Sequence, residues 1–173
     1  AADPSWSPAN IYTSAENANS VFVADIDNDG DLDVVSSSEL DDTVAWHETS
    51  LNWNPAVLVS WGANDPYSVF AADMDNDGDM DILHADYMDD TIAWIENDGA
   101  DNPSWSNADI ATDADGAASV FAADMDNDGD MDIVSASYVD DTIAWYENDG
   151  ASDPSWTTAN IATSADSPPT ERM

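Results

Sequence analysis

Fifteen aspartates stand in three copies of one nine-residue pattern. The copies are Asp25-Ile-Asp27-Asn-Asp29-Gly-Asp31-Leu-Asp33, Asp73-Met-Asp75-Asn-Asp77-Gly-Asp79-Met-Asp81 and Asp124-Met-Asp126-Asn-Asp128-Gly-Asp130-Met-Asp132. Five carboxylates around one glycine repel one another unless a cation sits among them. The spacing suits calcium, which takes six to eight oxygens at about 2.3–2.6 Å in flexible geometry. Positions 1, 3 and 5 offer carboxylates, position 7 a backbone carbonyl and position 9 a further carboxylate. The glycine at position 6 permits the sharp bend. In the first copy these are Asp25, Asp27, Asp29, the carbonyl of Asp31, and Asp33, with the Asp31 side chain left to solvent. Three calcium sites are therefore expected, one per copy.

Other readings of the loop fit less well. Magnesium prefers fewer carboxylates and more water. An EF-hand opens in the same way but needs a glutamate at position 12 and flanking helices. Position 12 here is Ser36, His84 or Ser135, and the flanks are strand-like. An acidic turn without metal accounts for one such loop more readily than for three with the same spacing.

The elements that carry these loops repeat with them. Ser-Val-Phe begins at Ser20, Ser68 and Ser119, and Ala-Trp recurs at Trp46, Trp94 and Trp145, both in steps of 48 and 51 residues. A second tryptophan series, Trp6, Trp53, Trp105 and Trp156, has one member more. Each unit predicts four short strands. The first, Val21 to Ala24, is apolar on both faces and reads as buried on both sides. The second runs from Leu32 to Ser36, with Leu32 and Val34 on one face. Asp41-Asp42, Asp89-Asp90 and Asp140-Asp141 mark turns. The third, Thr43 to Trp46, alternates with period two. Asn-Asp-Gly turns follow in the second and third units. The fourth runs from the second tryptophan to Ile or Val: 6–11, 53–57, 105–110 and 156–161.

Four antiparallel strands in about 50 residues is the arithmetic of a propeller blade. The expected fold is all-β: a propeller-like array of three four-stranded antiparallel blades, open or completed by other chains or by missing blades. A β-sandwich of irregular hairpins is the competing architecture, and the exact internal repetition favours stacked equivalent units. Residues 1–161 form one repeat domain, with blade units at about 20–57, 68–110 and 119–161 and an extra strand at 6–11. Residues 162–173 read as a loose tail. The three phenylalanines and the tryptophans are expected to fill the space between blades.

Composition narrows the partners. The chain has 173 residues, 38 acidic against one basic, for a formal charge of −37. Three bound divalent ions would bring this only to about −31, so the rest is a solvated acidic surface. Nucleic acid is not expected as a partner, since there is no lysine and a single arginine, Arg172. Anionic membranes are disfavoured likewise, and no apolar run reaches the ~20 residues of a transmembrane helix. There is no cysteine, so disulfides and thiolate metal sites do not arise. Calcium sites built from plain aspartates tend to have dissociation constants of about 10⁻⁴–10⁻³ M, as in extracellular modules. An extracellular or cell-surface location is expected. A first residue of alanine rather than methionine fits a mature or excised product.

Val-Phe-x-Ala-Asp-x-Asp-Asn-Asp-Gly-Asp-x-Asp-Ile-Val, followed by Asp-Asp-Thr-Ile-Ala-Trp-Tyr-Glu-Asn-Asp-Gly, resembles the FG-GAP/VCBS repeat family. That family includes the calcium-binding blades of integrin alpha subunits and many secreted microbial proteins. The resemblance covers about residues 6–161. It implies propeller blades with calcium between a blade's first and second strands, in proteins that usually close with seven blades.

Three blades leave two apolar blade faces without a neighbour, and such surfaces do not stay bare on a soluble monomer. Either the chain is part of a longer propeller, or copies associate end to end into a ring or a filament. The surplus segment at 6–11 could add to a neighbouring sheet. No catalytic residue is expected. His47 stands where the other units have Ile95 and Tyr146, and His84 stands where they have Ser36 and Ser135. The expected role is structural: assembly or adhesion by a calcium-binding extracellular protein. The alternatives are a calcium-dependent carbohydrate-binding module, with exposed tryptophans contacting glycans, and, less favoured, a fragment of a carbohydrate-active lyase.

Overall fold

In each unit a short apolar run ends at an aspartate, turns sharply at a glycine, and returns as a second run. This pattern favours a hairpin of two strands, and two further strands complete each sheet. The computed structural model describes residues 10–49, 56–60, 62–100 and 102–164. They form three four-stranded antiparallel sheets in succession. The first blade is β1 (Ala18–Ala24), β2 (Asp33–Ser38), β3 (Thr43–His47) and β4 (Val57–Leu58). The second is β5 (Pro66–Ala72), β6 (Asp81–Asp86), β7 (Thr91–Asn97) and β8 (Trp105–Ala111). The third is β9 (Ala117–Ala123), β10 (Asp132–Ser137), β11 (Thr142–Asn148) and β12 (Trp156–Ala162). Strand order follows chain order in every blade, and the array is not closed.

Register places the bulky residues in rows across each sheet. Phe22 pairs with Val35, Val35 with Trp46, and Trp46 with Val57. The second blade repeats the row as Phe70, Leu83, Trp94 and Ala108, and the third as Phe121, Val134, Trp145 and Ala159. Because side chains alternate across a strand, these rows share the blade face turned towards the next blade, here the forward face. The opposite, rear face carries Val69, Ala71, Ile82 and Ile95 in the second blade, and Val120, Ala122, Ile133 and Tyr146 in the third.

Two apolar cores result, one at each junction. The first joins Val35, Val44 and Trp46 to the rear face of the second blade. The next joins Leu83, Ile92 and Trp94 to the rear face of the third. The phenylalanines stack in series along the array, Phe22 to Phe70 at 4.5 Å and Phe70 to Phe121 at 4.6 Å between ring centroids. Phe22, Trp46 and Trp105 pack at the first junction and Phe70, Trp94 and Trp156 at the second, as their repeat spacing predicts, whereas Phe121 is exposed and Trp145 lies in neither core.

Several strand expectations need correction. The rear side of a unit's first strand is buried only where a blade precedes it. Val69, Ala71, Val120 and Ala122 are buried, whereas Val21 and Val23 of the first blade are exposed. Leu32 does not begin the second strand; it lies exposed in the loop, and β2 starts at Asp33. The Asn-Asp-Gly turn of the second unit is part of a longer connection. Asp98 accepts the amides of Ala100 and Ser104 and organises a longer connection between β7 and β8. Of the extra strand expected at 6–11, Asn10 and Ile11 are not in a strand; residues 6–9 lie outside the described residues. The same holds for residues 53–55 of the strand expected at 53–57 and for residues 165–173 of the tail.

Candidate metal centre

Each nine-residue loop connects the first two strands of a blade, so the sheet fixes both of its ends. The asparagine at position 4 adopts a left-handed backbone, φ 59° at Asn28, 62° at Asn76 and 65° at Asn127, a conformation asparagine tolerates better than most residues. Gly30, Gly78 and Gly129 follow two residues later with φ 94–104°. The chain then wraps its own amides around the carboxylates. Gly30 N–H donates to Asp25 Oδ2 at 3.0 Å, Asp29 N–H to Asp27 Oδ1 at 3.3 Å, and Asp31 N–H to Asp29 Oδ1 at 2.8 Å. The second and third loops repeat all three contacts.

This winding gathers positions 1, 3 and 5. In the triads Asp25–Asp27–Asp29, Asp73–Asp75–Asp77 and Asp124–Asp126–Asp128, one oxygen of each residue lies within 4.8 Å of the others. Burial pushes the carboxyls of Asp27, Asp75 and Asp126 up from the ordinary aspartate range. The charge of the position-5 neighbour adds to this, against the stabilising amide at position 5. One oxygen in each of Asp25 and Asp73, Oδ1, is buried and has no hydrogen-bond donor. A buried, unpartnered carboxylate oxygen within a triad of carboxylates is what a divalent cation satisfies. The donor set fits calcium: hard oxygens, carboxylate-rich, in a loop with room to adjust.

The remaining two positions of each loop are placed differently. Asp33, Asp81 and Asp132, at position 9, are buried beneath the loop and hydrogen-bonded on both oxygens. Asp33 Oδ2 accepts from Ile26 N–H and from the Trp46 indole, and Oδ1 accepts from Thr49 N–H at 2.7 Å. Asp81 accepts from Met74 N–H and Asn97 N–H, and Asp132 from Met125 N–H and Asn148 N–H. Burial pushes the Asp81 carboxyl up to about 7; the amides of Asn97 and Met74 oppose the rise and Asp75 adds to it. At position 7, Asp31 is exposed, as expected. Asp79 and Asp130 are not left to solvent. Asp79 Oδ1 accepts from Asn28 Nδ2 and Asp130 Oδ1 accepts from Asn76 Nδ2, each at 2.7 Å. Position 4 of one loop is thus tied to position 7 of the next.

A second tie runs between the same neighbours. Asn97 Nδ2 donates to the Ile26 carbonyl of the preceding loop and to the Met80 carbonyl of its own. Asn148 does the same to Met74 and Met131. The variable positions of the motif also belong to the junctions. Ile26 and Met74, at position 2, are fully buried in the two cores, and Met80 and Met131, at position 8, pack against them. Sequence reasoning missed these roles, although the signal was present: positions 2 and 8 are always large and apolar in a motif otherwise entirely polar.

Both histidines are buried, each with one ring nitrogen that has no hydrogen-bond partner among the described residues, and His84 lines a polar cavity. His47 is buried, shares a hydrogen bond with Ser36 Oγ at 2.8 Å and lies beside the Tyr12 ring; burial lowers its pKa. His84 is buried and pairs through Nδ1 with Asp86 at 2.9 Å. Trp46 and Trp94 are buried, and Trp105, Trp145 and Trp156 are partly so. Trp6 and Trp53 lie outside the described residues.

Blades stacked face to face, each with an acidic loop between its first two strands, define an open propeller-like repeat array. The chain belongs to the FG-GAP-like repeat family, whose model matches residues 25–84 and again 73–135. Each match begins at the first aspartate of one loop and extends past the next loop. Repeats of this family are typical of extracellular, adhesion-type proteins, often bind calcium and are generally not enzymes. A comparison with curated proteins found no match. Among the described residues, no helix is long and apolar enough to cross a membrane.

Proposed function

We propose that the chain is a calcium-binding extracellular repeat protein whose role is structural, in adhesion or assembly, and not catalytic. The observation that carries this reading is the recurrence of one carboxylate triad at the same place in three successive blades. A single acidic cluster on so acidic a chain has little meaning. Three built by the same amide contacts are a repeated ligand set. The ion would be held by positions 1, 3 and 5 of each loop and would supply the positive charge that lets the blades stack. Sites of this kind fill at extracellular calcium and stay largely empty in cytosol.

Titration calorimetry of the metal-free chain with calcium tests the reading. Three sites and a rise in the melting temperature are expected. No heat and no shift at about 10 mM calcium, well above the weak end of such sites, would remove the proposal.

A glycan-binding role is the second reading, and one observation favours it. Polar cavities of about 200 and 220 Å³ recur at equivalent places on the second and third blades, with Asp86, Thr91 and Asn107 in one and Ser137, Thr142 and Thr158 in the other. The burial of Trp46 and Trp94 speaks against sugar stacking on those rings. A glycan array read in calcium separates the two readings: selective binding supports the lectin, and a blank array leaves the structural role.

A further inference from the structure

We propose that a cavity on the rear face of the second blade, floored by His84 and Asp86, binds the primary ammonium group of a small organic cation. The inference goes beyond the structural reading and stands apart from the metal loops.

Register builds the cavity. His84 in β6 pairs with Ala93 in β7, and Ala93 pairs with Asp109 in β8. Residues directly opposite on antiparallel strands share a face, so the small Ala93 leaves room between His84 and Asp109. The cavity of about 200 Å³ lies here, with Ser60, from the segment after β4, also in its wall. Its floor is buried: His84 is 1% exposed, Asp86 2% and Thr91 8%. Its rim, with Asp89, Asn107 and Asp109, is exposed.

The chemistry of the lining is one-sided. His84 Nδ1 pairs with Asp86 Oδ1 at 2.9 Å. A neutral ring donating there keeps its lone pair on Nε2, and that nitrogen is buried with no hydrogen-bond partner among the described residues. The Thr91 hydroxyl donates to the Asp89 carbonyl at 2.9 Å, so it too offers the cavity an acceptor. Asp86, Asp89 and Asp109 add three carboxylates, and one Asp89 oxygen accepts from Asn64 Nδ2. No basic side chain is in the lining. A buried acceptor without a donor, beside carboxylates without a counter-charge, is satisfied by donors that carry positive charge. An ammonium group brings three donors and no acceptor. A neutral hydroxyl brings the donor without the charge.

A bare metal ion suits the cavity less well. Among the described residues, only the three loop triads bring three such ligand atoms within 4.8 Å of one another, so His84 and the carboxylates around it do not converge on a point. The set is also particular to this blade. Ser36 and Ser135 stand where His84 stands, Ser38 and Ser137 where Asp86 stands, and Asn160 where Asp109 stands. The histidine and the aspartate that orients it thus occur together in one unit. The equivalent cavity of the third blade has no histidine and two carboxylates, Asp113 and Asp140.

Magnetic resonance of the full chain with isotope-labelled histidine, in saturating calcium, tests the proposal. Diaminobutane should shift the His84 ring signals and leave those of His47 in place. Butanediol, of the same length without the charge, should shift neither. Two variants take residues from the other blades. Asp109→Asn lies on the exposed rim, and His84→Ser with Asp86→Ser restores the serines of the first and third units. Each should weaken diaminobutane binding about tenfold in calorimetry. An unmoved His84 signal or an equal response to butanediol overturns the proposal. So does a diamine affinity that neither variant changes, which would place the cation on the acidic surface at large. A methyl glucoside that shifts His84 as far as the diamine does also overturns it and gives the cavity to the glycan reading. Calcium stoichiometry, measured alongside, reports on the metal loops alone; its failure would remove the functional reading and leave the result for this cavity standing.

Discussion

The aspartates of one loop look interchangeable in sequence and are not so in the fold. Positions 1, 3 and 5 converge, position 7 serves the neighbouring loop in the second and third copies, and position 9 closes the loop from below. Asp75→Asn should remove one calcium of three, detected as a change in calorimetric stoichiometry. It should lower stability in calcium by about 2.7 kcal/mol when calcium stands at 100 times the dissociation constant, with little effect in chelator. Titration gives a second signature. Asp81 is pushed up to about 7 in the fold, against about 3.9 in an unfolded chain. Between those values the folded state of the metal-free protein holds more protons, so stability is present at the acid end and is lost as pH rises through about 7. The raised carboxyls of Asp27, Asp75 and Asp126 act in the same sense. With calcium bound, protons compete with the ion and acid weakens the sites. The melting temperature is thus expected to fall from pH 5 to 7.5 in chelator and to rise over the same range in calcium. Parallel pH dependences in the two conditions would argue against ions in these loops.

Strands and loops were legible to different degrees. The third strand of the first blade and the complete fourth strands follow within a residue from period-two alternation and the tryptophan spacing, β7 and β11 run three residues past their tryptophans, and the Asp-Asp turns hold left-handed aspartates at Asp42, Asp90 and Asp141. Strand burial was misread in the first blade because local pattern states which face is apolar, not whether a neighbour covers it. The ties between loops were illegible for a related reason: Asn28 and Asp79 lie 51 residues apart, and only the packing of blades brings them together. Gly99 shows how closely these elements fit. It has φ 66°, and a Cβ there would lie 1.9 Å from Asp79 Oδ2, the carboxylate that receives Asn28. Gly99→Ala should cost about 1–2 kcal/mol in backbone strain alone, and more by displacing Asp79. Gly30→Ala, with φ 94° and open space around it, measures strain without the clash, so a smaller loss is expected. Asn97→Ala strips the donor from two carbonyls at a blade junction. A loss of about 1–3 kcal/mol is expected, read as a lower denaturation midpoint in urea.

As a whole molecule, the array is a line of units in which each blade touches only its neighbours, so stability is a sum of blade and junction contributions. The middle blade has two junctions and each end blade has one. In hydrogen exchange, β5 to β8 should therefore be the best protected, and the first and third blades should open earlier. Chelation should narrow this difference, because it weakens the loops that meet at each junction, and low salt should deepen the effect of chelation by leaving the acidic surface unscreened. Equal protection across the three blades in calcium would count against junctions of this kind. The resemblance read from the repeats identified the family and the blades.

Asn28 and Asn76 each clasp the following loop with one short bond, so the blades are fastened in series. A molecule tethered at both ends and drawn out should give way one blade at a time, in a sawtooth of separate ruptures. The calcium level of the surrounding fluid would then set the force at which each rupture comes.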